Sequence, residues 1–410
     1  MLSISKRGRD MPASPIRKLT PFADMARRQG KFIFHLNIGQ PDIESPQIAL
    51  EAVRNNHLKI LSYSPSDGFE SYREKLAIFY RERSDLPVET DDVIITIGGS
   101  EALLFSIAAV CDDGDEVIIP EPFYANYNGF SHMIGAKVVP VDSKFEDNFA
   151  LPPIAEFEKK ITDKTKAILI CNPGNPTGYL YTKEEIEQLA DLVKKHNLFL
   201  IADEVYREFT YDGLKHNSIL KEKKIEQNAI MVDSVSKRFS MCGARIGCLV
   251  SKNEEVIATV LKFAQARLSP PTYEQIASEA ALKVSDTYFT EIGEKYVARR
   301  DALVEALRKV PGVKVAEPQG AFYCIAELPV DDAENFSKWM LEHFQYHRET
   351  IMLAPASGFY STPGSGKRQV RLAYVLEKQS LLRAVVILKH GLKAYQKQHG
   401  IDPKSFIEKS

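Results

Sequence analysis

Lys237 lies in Ser234-Val235-Ser236-Lys237, directly after a short apolar run, and Asp203 closes another such run 34 positions earlier. A lysine amine can join an aldehyde as an imine and, once displaced, can carry protons. A carboxylate at the end of an apolar strand can keep a pyridine-type nitrogen protonated, so that the ring accepts electrons from a carbanion. Groups suited to a phosphate stand nearby. Gly99 and Ser100, in Gly98-Gly99-Ser100-Glu101, offer main-chain N–H groups where a helix starts, with its dipole favourably oriented. Ser234 and Ser236 add hydroxyls, and Arg245 adds a charged fork. The competing readings are a helix N-cap for Asp203 and a solvated surface lysine for Lys237. Each motif alone is weak. Their order, each at the end of an apolar run, favours chemistry on a phosphorylated aldehyde cofactor.

Such groups need strands to deliver them. Apolar runs at 93–97, 117–119, 138–141, 167–171, 198–202, 229–232 and 247–250 alternate with amphipathic stretches. This pattern predicts an α/β fold with a mostly parallel seven-stranded sheet flanked by helices. Open sheets of this kind hold ligands beyond the C-terminal ends of their strands. One helix is legible in detail: Thr182 and Glu185 form a capping box, Ile186, Leu189, Ala190 and Val193 recur at helical spacing, and Asn197 offers a stop. Another is expected to start at Ala102-Leu103, after the Gly98-Gly99-Ser100-Glu101 turn. Beyond about 285, helical sequence at 291–309 and 333–344, strand-like 322–326 and 370–375, and a helix at 381–396 predict a smaller α/β domain. Near the N-terminus, Pro12, Pro15 and Pro21 prevent a long helix. The expected division is 1–45 as an N-terminal arm and small-domain segment, 46–285 as a large cofactor-binding domain, and 286–410 as a small C-terminal domain.

A chain of 410 residues is too long for one simple core, and 44% hydrophobic with 26% charged residues suits a soluble globular protein. With 53 basic and 55 acidic residues there is no basic excess for nucleic acid or an anionic membrane. The five cysteines form no CxxC pair and are expected as reduced core residues, and no metal site is expected. No apolar core follows the basic Lys6-Arg7-Gly8-Arg9, and no apolar run approaches the roughly 18 residues of a membrane helix. A cytoplasmic location is expected.

Taken together, Ser234-x-Ser236-Lys237-x7-Arg245-x-Gly247, Asn175-Pro176-Thr177-Gly178 and Asp203-x-x-Tyr206 resemble the fold-type I enzymes that use pyridoxal 5′-phosphate (PLP). Within them the chain is similar to the class I/II aminotransferases, in the divergent prokaryotic branch of the aspartate aminotransferase superfamily, from about Leu36 to Ala373. The resemblance implies that Lys237 carries PLP, with Asp203 and Tyr206 as its catalytic companions. It implies that Asn175 and Tyr206 bond the phenolic oxygen, that Tyr124 stacks on the ring, and that Gly99, Ser100, Ser234, Ser236 and Arg245 hold the phosphate, with Glu101 in the same turn. Tyr63 resembles a tyrosine that reaches a partner subunit's phosphate, implying a homodimer with shared active sites; an ordinary loop tyrosine is the alternative. Arg371 resembles the arginine that grips the substrate α-carboxylate, with Asn175 beside it and Gly39 bordering the same group.

The implied reaction is ping-pong transfer of an amino group between an L-amino acid and a 2-oxo acid. Some members of this branch meet a side-chain carboxylate with a lysine in the phosphate-loop region, where Ser100 stands here. An aspartate-like substrate is favoured, and a broad or aromatic preference stays open. Arg17, Lys18 and Arg267 are candidates for reading a distal carboxylate; each also reads as a surface or structural charge. The same fold and lysine support a C–S β-lyase or a related elimination enzyme, which the cofactor motifs do not separate from an aminotransferase.

Overall fold

The computed structural model describes residues 2–402 and Phe406. The apolar runs assemble into a seven-stranded sheet with the spatial order Val93–Thr96, Gly247–Val250, Ala229–Ser234, Phe199–Asp203, Thr165–Cys171, Glu116–Glu121, Lys137–Asp142. Gly247–Val250 runs antiparallel to both its neighbours, and the other pairs are parallel. The strands read as continuous apolar runs because both faces are covered. On one face Ile94, Leu169, Ile201, Ile230 and Leu249 pack with Leu103, Ile107 and Val260 from two helices. On the other, Ile168, Ile170 and Leu200 pack against Ile186, Leu189 and Val193 of helix Lys183–His196, while Ile95 and Met231 meet Tyr72 and Leu76. Each fully buried side chain of this kind contributes roughly 1.5–3 kcal/mol.

Helix Lys183–His196 begins and ends where its residues dictate. The Thr182 hydroxyl accepts from the Glu185 N–H at 3.2 Å, and the Glu185 carboxylate accepts from the Thr182 N–H at 2.7 Å. Asn197 then turns into the left-handed region at φ 50°. Helix Gly98–Val110 starts at Gly98 rather than near Ala102. The physical reason is local: Gly98 takes φ 75°, and the Glu101 carboxylate accepts from the Ile97 N–H at 2.7 Å. The glycine-serine segment is thus the first turn of the helix, not a loop before it.

A second, antiparallel sheet has the order Ala354–Pro355, Gln369–Ala373, Tyr323–Glu327, Lys314–Val315. Helices Asp286–Arg308 and Lys378–His399 pack with it around Phe322, Phe336, Tyr374, Leu381 and Leu388. Two short strands absent from the expectation, Phe32–His35 and Glu349–Met352, pair in parallel. Pro21 lies in the first turn of helix Thr20–Arg28, where its missing N–H is no loss. All five cysteines are free, and Cys171 and Cys242 are only partly buried. Among the described residues no helix is long and apolar enough to cross a membrane.

Candidate active site

The register brings one edge of the large sheet to a focus. Cys171 pairs with Asp203, and Gly247 pairs with both Thr96 and Ser234, so four strand ends and the start of the reversed strand meet. A cavity of about 710 Å³ opens there.

Lys237 follows its strand in the short helix Val235–Arg238 and points its amine into this cavity, where it donates to the Gly39 carbonyl at 2.9 Å. The turn is braced from behind. Asp233, fully buried, accepts from the Ser234 N–H and the Tyr80 hydroxyl, each at 2.7 Å, and is ion-paired with Arg238. Asp203 is 4% exposed and also lines the cavity. One of its oxygens accepts from the Tyr127 hydroxyl at 2.8 Å and the other from the Val205 N–H at 3.4 Å, the cap-like contact that the sequence offered as an alternative. Burial pushes its carboxyl up to about 6, with the Tyr127 hydrogen bond opposing.

At the phosphate-suited end, Gly99 packs near Ser234, and the Ser234 and Ser236 hydroxyls lie 2.9 Å apart. Arg245 adopts φ 52° and donates to the Cys242 carbonyl at 3.0 Å. A Cβ on Gly98 would overlap the Arg245 guanidinium, and one on Gly247 would lie 2.6 Å from the Gly98 and Gly99 backbone. These glycines permit the close approach on which the cradle depends. Ser100 shares the lining, whereas the Glu101 side chain is committed to the Ile97 N–H and to Arg267, whose Nε is 3.3 Å away. Tyr63 lies outside the cavity and is 78% exposed, with Ile60 and Leu61 exposed beside it.

Opposite, strand Gln369–Ala373 carries Arg371, 1% exposed. Its guanidinium donates to the Asn175 side-chain oxygen at 3.0 Å and the Asn37 carbonyl at 2.5 Å, and its Nε has no partner among the described residues. The group stacks over Tyr323 and Phe359, at 4.5 and 4.8 Å from the ring centres. Asn175 donates to the Tyr206 hydroxyl at 3.5 Å, and the Tyr206 and Tyr323 hydroxyls are 2.9 Å apart. Burial pushes the Tyr206 phenol well above its ordinary value and that of Tyr124 up to about 12. A Cβ on Gly39 would overlap the Tyr323 hydroxyl. Tyr127, Tyr323, Asn37 and Cys242 were not anticipated. A tyrosine three places after Tyr124, or beside Phe322, carries no local mark separating a site residue from a core aromatic.

The groups present fit PLP. A buried carboxylate whose charge is disfavoured by desolvation is a partner for a cationic ring nitrogen. A helix N-terminus crowded by Arg245 suits a phosphate, and Lys237 lines the same cavity as both groups. The orphaned Nε of Arg371 suits a substrate carboxylate. Such a sheet, with a lysine and an acid at its ligand edge, defines the fold-type I class of cofactor enzymes. The model of the family "Aminotransferase class I and II" matches residues 32–385. An aspartate aminotransferase of Pyrococcus horikoshii is 31% identical over 86% of this chain and 89% of its own length. An aspartate/prephenate aminotransferase of Thermus thermophilus is 31% identical over 94% of this chain and 97% of its own. The solved structure of Thermus thermophilus aspartate aminotransferase with maleate superposes with a TM-score of 0.87 at 31% identity, covering 95% of this chain and all of that one. An alanine aminotransferase from Pyrococcus furiosus superposes with a TM-score of 0.86 at 28% identity, covering 96% of this chain and all of that one. The chain belongs to the class I and II aminotransferases. It is an enzyme that transfers amino groups with PLP as cofactor.

Proposed function

We propose that this protein moves an α-amino group between an L-amino acid and a 2-oxo acid in two half-reactions at the one cavity, with aspartate-like donors favoured. The observation that carries this reading is Arg371: buried, two-pronged, with an Nε that has no partner among the described residues, and lining the same cavity as Lys237. PLP, when bound, supplies an electron sink for the carbanion formed at the substrate Cα. Asp203 would hold the positive charge of its ring nitrogen, Asn175 and Tyr206 would bind its phenolic oxygen, and Tyr124 would pack against its ring. Gly99, Ser100, Ser234, Ser236 and Arg245 bind the phosphate, with Glu101 capping that turn. Arg371, Asn175 and the Gly39 backbone orient the substrate carboxylate. Lys237 would hold the cofactor and, once freed by the substrate, its amine, which donates to the Gly39 carbonyl at 2.9 Å, would take the proton from the substrate Cα.

The assembly proposed is a cytoplasmic homodimer in which Tyr63 of the partner subunit completes the phosphate site, with domains at 1–45, 46–285 and 286–410. Support for the dimer comes from the exposed apolar stretch around Tyr63. Mixing the cofactor-loaded protein with one amino acid and no oxo acid should convert the cofactor's aldehyde absorbance to that of its amine form. No conversion with aspartate, glutamate, alanine, aromatic or branched amino acids would sink the proposal. Release of pyruvate and ammonia from cystathionine without an oxo-acid acceptor would point to elimination instead.

A further inference from the structure

Of the three basic side chains that the sequence left open for a distal carboxylate, two are engaged elsewhere. Lys18 is ion-paired with Glu334. Arg267 is ion-paired with Glu101 and donates to the Ser66 and Ile95 carbonyls at 3.3 and 3.1 Å. Arg17 differs from both. It is exposed to solvent, it lines the active-site cavity, and among the described residues its side chain has no hydrogen-bond or ion-pair partner.

The position of Arg17 is tied to the substrate clamp. Pro15 packs on Gly358, where a Cβ would overlap its ring. The Ile16 carbonyl accepts from the Asn37 side chain at 3.5 Å, and the Asn37 carbonyl accepts from Arg371. Asn37, 1% exposed, thus joins the arm turn to the Arg371 guanidinium through one residue. The turn itself is closed by the Arg17 N–H on the Ser14 carbonyl at 3.2 Å and the Thr20 N–H on the Arg17 carbonyl at 2.9 Å.

Charge points the same way. Among the described residues, Arg17, Lys237, Arg245 and Arg371 line the cavity against one acidic residue, Asp203. On the reading above, Lys237 belongs to the cofactor, Arg245 to its phosphate and Arg371 to the α-carboxylate. Arg17 is the cation left over. We infer that Arg17 is the specificity-determining residue that reads the side-chain carboxylate of a dicarboxylic amino or oxo acid, closing on it from the arm. This rests on the aminotransferase reading of the cavity. A guanidinium fork suits a carboxylate through two parallel hydrogen bonds, and an exposed arginine needs no buried partner before the substrate arrives. Ile16 and Ile38, in the same lining, offer apolar surface to the methylene groups between two such carboxylates.

The test compares wild type, Arg17→Gln and Arg17→Lys as cofactor-loaded enzymes. Half-reactions with aspartate and alanine give a ratio of kcat/KM, and calorimetry gives the dissociation constant of maleate, an unreactive dicarboxylate. Arg17→Gln should lower the aspartate-to-alanine ratio by about 10- to 100-fold and raise the maleate constant by a similar factor, as expected for losing a charged hydrogen-bond pair. Arg17→Lys should recover part of both. If wild type converts aspartate while Arg17→Gln leaves ratio and maleate affinity within about twofold, the inference is overturned and the aminotransferase reading stands. If wild type converts alanine or phenylalanine and rejects aspartate, the dicarboxylic assignment is overturned, again without touching the transamination reading.

Discussion

At the scale of single residues, Asp203 carries a pH dependence with a definite sign. Its carboxyl is pushed up to about 6 in the folded chain, above an ordinary value of 3.8. Between those values the folded state binds the proton more tightly than the unfolded state does, so stability falls as pH rises from about 4 to about 6. Asp203→Asn removes that contribution. The melting temperature of the cofactor-free variant should therefore decline less across this window than that of wild type, and an equal decline would contradict the assignment of cause. The same substitution should weaken the grip on the ring nitrogen and lower the half-reaction rate by about 10²-fold or more. Asp203 was legible in the sequence because an acid closing an apolar strand is unusual. Tyr127, which supplies its hydrogen bond, was not, because buried tyrosines are common and nothing nearby in sequence marks this one.

At the scale of elements, glycine and cap positions lead to separate readouts. Gly98 holds φ 75°, and a Cβ there would overlap Arg245. Gly98→Ala should raise the cofactor dissociation constant by about 10-fold or more, measured by equilibrium titration, because the phosphate turn and the guanidinium lose their close approach. Thr182→Ala acts far from the cavity. It removes one side of the capping box and should destabilise the protein by about 1 kcal/mol in denaturant unfolding without altering cofactor affinity. The large sheet was readable because seven apolar runs with both faces buried leave a strong pattern, and their observed bounds differ from the expected ones by a few residues at most. The strands Phe32–His35 and Glu349–Met352 were not readable. They are four residues each, and what makes them strands is pairing with each other across the chain, which no local pattern records. The start of helix Gly98–Val110 was misplaced for a related reason: two glycines read as a turn until the Glu101 cap is seen.

At the scale of the whole molecule, the residues around Tyr63 include an exposed apolar stretch. Leu58, Ile60, Leu61 and Tyr63 are all exposed, Ile60 and Tyr63 each at 78%. If this stretch meets a second copy, Ile60→Asp with Leu61→Asp should give monomers in sedimentation velocity, with loss of most activity. Tyr63→Phe should leave the dimer intact and weaken cofactor binding by about 10-fold, the worth of a charge-assisted hydrogen bond. A wild-type protein that sediments as a monomer would remove the shared-site proposal altogether. This surface was marked in the sequence only through the resemblance of the Tyr63 segment, since exposed apolar residues leave no local pattern of their own.

The parallel pairing of Phe32–His35 with Glu349–Met352 also sets an order in time. It joins segments more than 300 residues apart, and the Ala373 N–H donates to the Leu36 carbonyl at 2.8 Å, two residues from Arg371. During synthesis Gly39 leaves the ribosome early and Arg371 almost last. The residues proposed for the cofactor, from Gly99 to Arg245, are all out long before then. The nascent chain therefore has its own share of the cofactor cradle in place while its substrate clamp is still half made, and contacts of such long range form slowly. Chains halted before residue 349 should fail to bind maleate, because neither the strand that pairs with Phe32–His35 nor Arg371 has yet been translated.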